Sequence, residues 1–309
     1  MSGLKKHSSE NRLLTKIGIC TVQLGLPCGF YNESPPTETK SIHFLREAHD
    51  MGINFSDTAP AYGTAEYLLG KSFENQSTRP LISTKVSLPQ TTSITLIQNS
   101  IEVQIENSRK QLYLDTLPLV MLRSVVGDVF YPSLIKILND FIQKGIVGKW
   151  GVSTYGVSAH LRAMEYPKIF SAIQIPFNML DRLPLRVLKS HPNALHFTFI
   201  VRSVFLQGLL TKNDKSDLIQ LSSLNPFINK TKQIAACFDL LLSEICLRYT
   251  AYNSSIGIAI FDTQSLREFQ TNLNDYKKGP LNNDIIEVID DIGVERLDLL
   301  DPRNWPPNQ

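Results

Sequence analysis

Apolar residues along this chain gather in short runs, and the intervals between the runs carry helical periodicity instead. Runs over residues 16–22, 53–56, 81–85, 117–122, 149–153, 172–175, 198–202 and 255–261 predict strands. Apolar positions spaced three and four apart predict helices between them, most clearly over 93–112, 131–144 and 230–249. Eight strands alternating with helices predict a closed parallel barrel of the (β/α)8 or TIM type. No internal repeat, low-complexity tract or linker interrupts the pattern, so residues 1–309 are expected to form one barrel domain. The interval 205–229 is long for a strand-to-helix connection and rich in Ser, Asn, Asp and Lys, which predicts a mobile active-site loop. The tail from Asn282, with Pro302, Pro306 and Pro307, is expected to pack across the barrel; its run IIEVIDDIGV also fits a peripheral helix.

Polar residues at the ends of apolar runs matter most in such a barrel, because the loops after the strands collect the working side chains. Asp57 ends the second run, Tyr62 follows five residues later before Gly63, and Lys85 ends the third. Thr64 is placed to cap the helix that follows. A carboxylate, a phenol and an ammonium at successive strand ends can form one hydrogen-bonded chain. The ammonium would then lower the phenol's pKa, and the phenol could donate a proton to a carbonyl oxygen as hydride arrives. The alternative is an ordinary Asp57–Lys85 ion pair with Tyr62 as a loop aromatic.

Composition narrows the classes of function. The 309 residues are 42% hydrophobic, enough for a large core, and 31 basic against 29 acidic residues leave a net charge of +2, with no electrostatic footprint for nucleic acid. No apolar stretch approaches membrane-spanning length, and the start MSGLKKHSSENRLLTK lacks a signal-peptide core, so a cytoplasmic protein is the expectation. Cys20, Cys28, Cys237 and Cys246 show no CxxC spacing and no neighbouring histidine cluster, which predicts free thiols and no metal site.

At the level of motifs the chain resembles the aldo-keto reductase family. DTAPAYGTAEYLLG and ISTKV are similar to that family's second- and third-strand signatures, KIGICTVQLGLPCGFYN to its opening strand, GKWGVSTY to its fifth and IQIPFNMLDR to its sixth. RSVFLQGLL and the tail DPRNW look most like members associated with bacterial surface-polysaccharide and deoxysugar genes. The resemblance implies NADPH or NADH as cofactor. Its carboxamide would be held by Ser153, Thr154 and Gln174, and the rest of the dinucleotide would lie against Thr21, Arg202, Ser203, Gln207, Gly208, Leu209, Asp262 and Gln264.

Several positions depart from the family pattern. Arg123 stands where the fourth strand ordinarily ends in histidine, Thr154 replaces an asparagine, Cys20 replaces a glycine, and Asp262 falls on a glycine position near the cofactor phosphates. Gln264 occupies a place where many members carry an arginine for the adenosine 2′-phosphate, leaving NADP against NAD open. Arg123 admits two readings: a permanent cation that polarises a carbonyl or holds an anionic substrate, or a partner for Asp57 that seals a disused site. Three functions remain open from sequence. The first is an NAD(P)H-dependent reductase of a small polar, sugar-derived or anionic carbonyl compound, with Asp57, Tyr62, Lys85 and Arg123 as its catalytic set. The others are a silent barrel that binds a nucleotide or partner, and a non-redox lyase or epimerase.

Overall fold

The computed structural model describes residues 14–28, 34–123, 132–154, 156–211, 221–294 and 297–305. Strands β1 (Ile17–Cys20), β2 (Phe55–Asp57), β3 (Leu81–Ser87), β4 (Leu117–Arg123), β5 (Val147–Ser153), β6 (Phe170–Pro176), β7 (Thr198–Arg202) and β8 (Ile258–Asp262) pair in parallel in chain order, and β8 closes on β1. Helices α1 (Val22–Gly25), α2 (Glu38–Asp50), α3 (Ala65–Phe73), α4 (Ile94–Leu112), α5 (Pro132–Gln143), α6 (Ser158–Met164), α7 (Leu183–Lys189), α8 (Asn225–Cys237), α9 (Leu242–Ala251), α10 (Leu266–Lys277) and α11 (Asn283–Asp290) complete the described elements longer than a single turn of 3-10 helix. This is the expected (β/α)8 barrel.

Alternation along the strands sorts the apolar residues into two cores. One, which includes Ile17, Ile19, Val120, Leu122, Val152, Ile173 and Val201, packs the outside of the sheet against the helices. The other fills the barrel: Phe55, Leu81, Leu119, Met121, Ala172, Ile200, Ile258 and Ile260. Side chains two residues apart share a face of a strand. The face that carries the inner core therefore ends, towards the strands' C-termini, in Asp57, Lys85, Arg123, Gln174, Arg202 and Asp262. One parity rule thus builds both the apolar plug and the polar mouth above it. Glycine makes the plug fit at Gly151, where a Cβ would run into the Met121 sulfur.

Three expectations are corrected. The periodicity over 230–249 belongs to two helices, α8 and α9, parted at Asp239, which adopts a left-handed φ of 52°. Asp239 N donates to Ala236 O at 3.3 Å and Leu240 N to Ala235 O at 3.0 Å, a Schellman stop with aspartate in the place glycine usually takes. β8 begins at Ile258 because the Asn253 side chain turns the preceding segment, accepting from Ser255 N at 3.0 Å. In the interval 205–229, Leu206–Gly208 forms a 3-10 turn and α8 already starts at Asn225; residues 212–220 lie outside the described residues.

The tail is held rather than loose over its described part. Arg182 donates to the carbonyl oxygens of Ile289 (2.7 Å), Asp290 (3.0 Å) and Ile292 (2.7 Å), clamping the end of α11 beside the turn that follows β6. Pro306 and Pro307 lie outside the described residues. Among the described residues no helix is long and apolar enough to cross a membrane, and no cluster of three or more His, Cys, Asp or Glu is arranged to hold a metal ion.

Candidate active site at the barrel mouth

Four of the residues singled out from sequence form one buried hydrogen-bonded chain. Lys85 Nζ donates to Asp57 Oδ2 at 2.6 Å and to the Thr58 carbonyl at 2.9 Å. The other carboxylate oxygen, Asp57 Oδ1, accepts from Gln174 Nε2 at 2.8 Å, and Gln174 Oε1 accepts from Ser153 Oγ at 2.6 Å. Ser153 and Gln174 face each other in register on β5 and β6. All four side chains are buried, Asp57 and Lys85 to 1% and 4% exposure. A buried carboxylate needs its charge matched and its lone pairs satisfied, and here each oxygen has its own donor.

Tyr62 is set over this chain by a backbone junction. Gly63 turns with φ +60°, and Gly25 of α1 packs so closely that a Cβ there would collide with the Tyr62 carbonyl oxygen. Two glycines are thus required for the first and second loops to touch. Thr64 precedes α3 but its side chain makes no capping bond, contrary to expectation; its backbone N–H reaches Gly25 O at 3.5 Å, because the turn and not the hydroxyl fixes the entry. Tyr62 is half-buried, and Lys85 Nζ lies 4.7 Å from the centroid of its ring. The lysine thus meets the phenol over its aromatic face.

The expected lowering of the phenol pKa is overturned. Burial pushes Tyr62 well above 10, Cys20 and Asp57 push it further, and the charges that pull it back are Arg123 and Arg202. The Lys85 charge is matched at close range by Asp57, and Lys85 is not among the groups that lower the phenol's pKa. Arg123 ends β4 between Ser87 and Ser153 and is half-buried. Both Asp57 oxygens are taken by Lys85 and Gln174, and no Arg123–Asp57 ion pair forms, contrary to the pairing considered from sequence.

The remaining predicted positions spread around the rim. Thr21 is buried, its hydroxyl and N–H both spent on the Asp57 carbonyl at 3.1 and 2.9 Å, which ties β1 to the end of β2. Thr154 is buried just beyond β5. After β7, Arg202 Nη1 reaches Ser203 Oγ at 3.4 Å, Gln207 and Gly208 are half-buried, and Leu209 is buried and apolar. Ser203, Leu206 and Gln207 all have positive φ (62°, 46° and 53°), three of the five such non-glycine residues among those described, so backbone strain concentrates in this loop. Asp262 ends β8 opposite Cys20, its pKa raised by burial and by Glu268, and Gln264 is half-buried beyond it.

Sequence reasoning passed over three neighbours. Asn178 Oδ1 accepts from Leu180 N (2.9 Å) and Asp181 N (3.0 Å) while its Nδ2 donates to Ser203 O (3.1 Å), joining the loops after β6 and β7. Asp181 is buried near Arg202 and Asp301, and burial raises its pKa to about 7. His160 Nδ1 donates to Gly156 O (2.7 Å), and burial pushes the imidazole pKa down to about 4. The only sequence signal for these was the N-x-x-D spacing of an Asx turn.

A model described as the Aldo/keto reductase family matches residues 16–294. The chain is 25% identical over 181 residues to the Aldo-keto reductase YhdN of Bacillus subtilis (strain 168), covering 56% of this chain and 54% of that protein, so it spans about half the length of that curated relative. It is 20% identical over 290 residues to the Uncharacterized oxidoreductase YqkF of the same organism, covering 87% and 89%. Among solved structures, the holo form of aldo-keto reductase AKR11C1 from Bacillus halodurans superposes with a TM-score of 0.72 at 20% identity, covering 94% of this chain and 96% of that one. The glycerol dehydrogenase AKR11B4 from Gluconobacter oxydans does so with 0.72 at 17%, covering 100% and 99%. At these identities the structural likeness is one of fold.

Proposed function

This chain belongs to the aldo/keto reductase family, whose members are NAD(P)H-dependent oxidoreductases, and we propose that it reduces the carbonyl of a small, polar, anionic substrate with Tyr62 as proton donor. The observation that carries the reading is the half-buried phenol with the Asp57–Lys85 pair beneath it and two guanidinium groups, Arg123 and Arg202, acting on it. Sequence similarity in the RSVFLQGLL segment and the tail further supports a sugar-derived compound. The whole chain is read as one barrel domain and as a cytoplasmic protein.

The residues present fit a nicotinamide cofactor. Ser153 and Gln174 supply a hydroxyl and an amide of complementary polarity in register at the mouth, and the strained Ser203–Gly208 turn is the kind of backbone that persists where a ligand is gripped. Arg202, Ser203, Gln207, Gly208, Leu209, Asp262, Gln264, Thr21 and Thr154 would line the remainder. When bound, NAD(P)H supplies the hydride.

The protein's own part is proton and charge. As the carbonyl is reduced, its oxygen would take the Tyr62 proton along with the displaced π pair, and the resulting tyrosinate would recover a proton from solvent. A pKa well above 10 keeps the proton on Tyr62 at working pH but makes the phenol a weaker acid, so Arg123 and Arg202, which pull that pKa back, are the groups that ease its loss. Arg123 and Arg202 stabilise negative charge as it develops, in a site where burial strengthens each interaction. The same pair selects substrates that bring a carboxylate or phosphate.

The test is a fluorescence titration with NADPH and NADH, followed by turnover on paired carbonyl compounds that differ only in an anionic group. Binding of either dinucleotide with faster turnover of the anionic partner is expected. No binding of either would give the site to the non-redox or silent alternatives.

A further inference from the structure

The bond between Gln174 and Asp57 joins residues 117 apart in sequence. It also joins opposite walls: β2 and β6 lie four strands apart in a closed ring of eight. Most polar groups in a barrel wall are satisfied by neighbours on the same or the adjacent strand, so a side-chain bond across the full width of the mouth asks for a reason.

The chemistry of the donors fixes its direction. An ionised carboxylate only accepts, so the Gln174 NH2 must face Asp57, and the amide oxygen must then face Ser153, whose hydroxyl donates. A flipped amide would set oxygen against oxygen at Asp57. Ser153 therefore locks the amide, and the amide holds one carboxylate oxygen while Lys85 takes the other. Without Gln174, one carboxylate oxygen loses its donor and the carboxylate can rotate about its Cβ–Cγ bond, leaving the Thr58 carbonyl as the fixed partner of Lys85 beside the Tyr62 ring. We infer that Gln174 is a positioning residue for the Asp57–Lys85 pair, bracing the carboxylate from the opposite wall so that the ammonium stays seated against the proton-donating phenol. Because the amide keeps a second N–H and Ser153 sits in register beside it, anything bound at this pair is in contact with the brace, so occupancy there and alignment of the proton donor are coupled.

The catalytic half of this inference rests on the reductase reading; the geometric half does not, and the experiment separates them. Gln174→Met keeps the length of the side chain and removes the donor. In that variant, kcat at saturating cofactor is expected to fall about ten-fold, the scale of one bond to a charged group. Lys85, read by mass spectrometry after a brief acetic anhydride pulse without cofactor, is expected to acylate about five-fold faster than in the wild type. A residue that only grips the cofactor would raise the cofactor KM and leave both readouts unchanged, and that result overturns the inference. Gln174→Glu adds a diagnostic pH dependence. While the introduced carboxyl is protonated it donates to Asp57 and kcat is retained; as pH rises and it ionises, two carboxylates face each other and kcat drops in a step absent from the wild type. Should Gln174→Met not fold, Ser153→Ala removes the lock on the amide and is expected to shift both readouts the same way by a smaller factor. If the wild type turns over no carbonyl compound, the reductase reading fails and the acylation rate alone decides the brace.

Discussion

Lys85 Nζ stands 4.7 Å from the centroid of the Tyr62 ring while its hydrogen bonds run to Asp57 and Thr58. The lysine thus does two things from one position: it neutralises a carboxylate that is 1% exposed, and it packs against the face of the phenol. Removing it leaves a buried charge without its countercharge. Lys85→Met is expected to cost about 3–5 kcal/mol of stability, and the double variant Asp57→Leu, Lys85→Met markedly less, since removing both partners leaves nothing uncompensated. Urea unfolding of the wild type, both single variants and the double variant measures the coupling; equal losses in Lys85→Met and the double variant would contradict it.

As the proposed proton donor, Tyr62 is expected to set the alkaline edge of reduction. With its pKa pushed well above 10 by burial and by Cys20 and Asp57, the phenol holds its proton to higher pH than a free tyrosine. The reduction rate at saturating substrates is expected to stay level from neutral pH to beyond 10 and only then decline. Tyr62→Phe should lower it by about 10²–10⁴-fold at every pH below that edge. A decline centred near neutrality would assign the proton to another group.

Arg123 is expected to act on substrate and not on cofactor. For anionic carbonyl compounds, Arg123→Ala should raise KM or lower kcat/KM about 10- to 100-fold, the range of a lost charge-assisted bond, with neutral analogues much less affected. Arg123→His should restore neutral aldehydes better than anionic ones. Equal effects on both substrate types would remove the anion-selecting role.

Asp181 is expected to make stability fall as pH rises. Its folded pKa of about 7 lies above its ordinary 3.8, so the folded state binds the proton more tightly. Unfolding free energy therefore decreases as pH rises from near 3.8 and levels off above about 7. Asp181→Asn removes the ionisation and is expected to exceed the wild type in unfolding free energy at pH 8 by on the order of a few kcal/mol, a gap that shrinks steadily towards pH 4 and is read by urea unfolding across that range. A gap independent of pH between 4 and 8 would place the effect elsewhere.

The chain's own pattern of residues determined the barrel and the ring of polar side chains at its mouth. Strand periodicity is local, and a period of two that carries Phe55, Met121, Ala172, Ile200 and Ile260 inward must also carry Asp57, Arg123, Gln174, Arg202 and Asp262 inward two residues later. Asp57, Lys85 and Arg202 could therefore be read as mouth residues before any fold was known. Which of them meet was decided only by closure of the barrel. Gln174 reaches Asp57 because β6 and β2 face each other across a ring, a relation that no spacing within either segment encodes. With both carboxylate oxygens claimed, Arg123 makes no ion pair with Asp57, a result of competition among three-dimensional neighbours. The phenol's pKa went against expectation for the same reason: charge signs are written in the residues, but desolvation depends on how completely the folded chain surrounds them, and around Tyr62 it outweighs the nearby cations. The break at Asp239 is the local counterpart, where an apolar period runs through a residue that the tertiary structure turns left-handed so that α9 packs on β8 while α8 packs on α9 and α11.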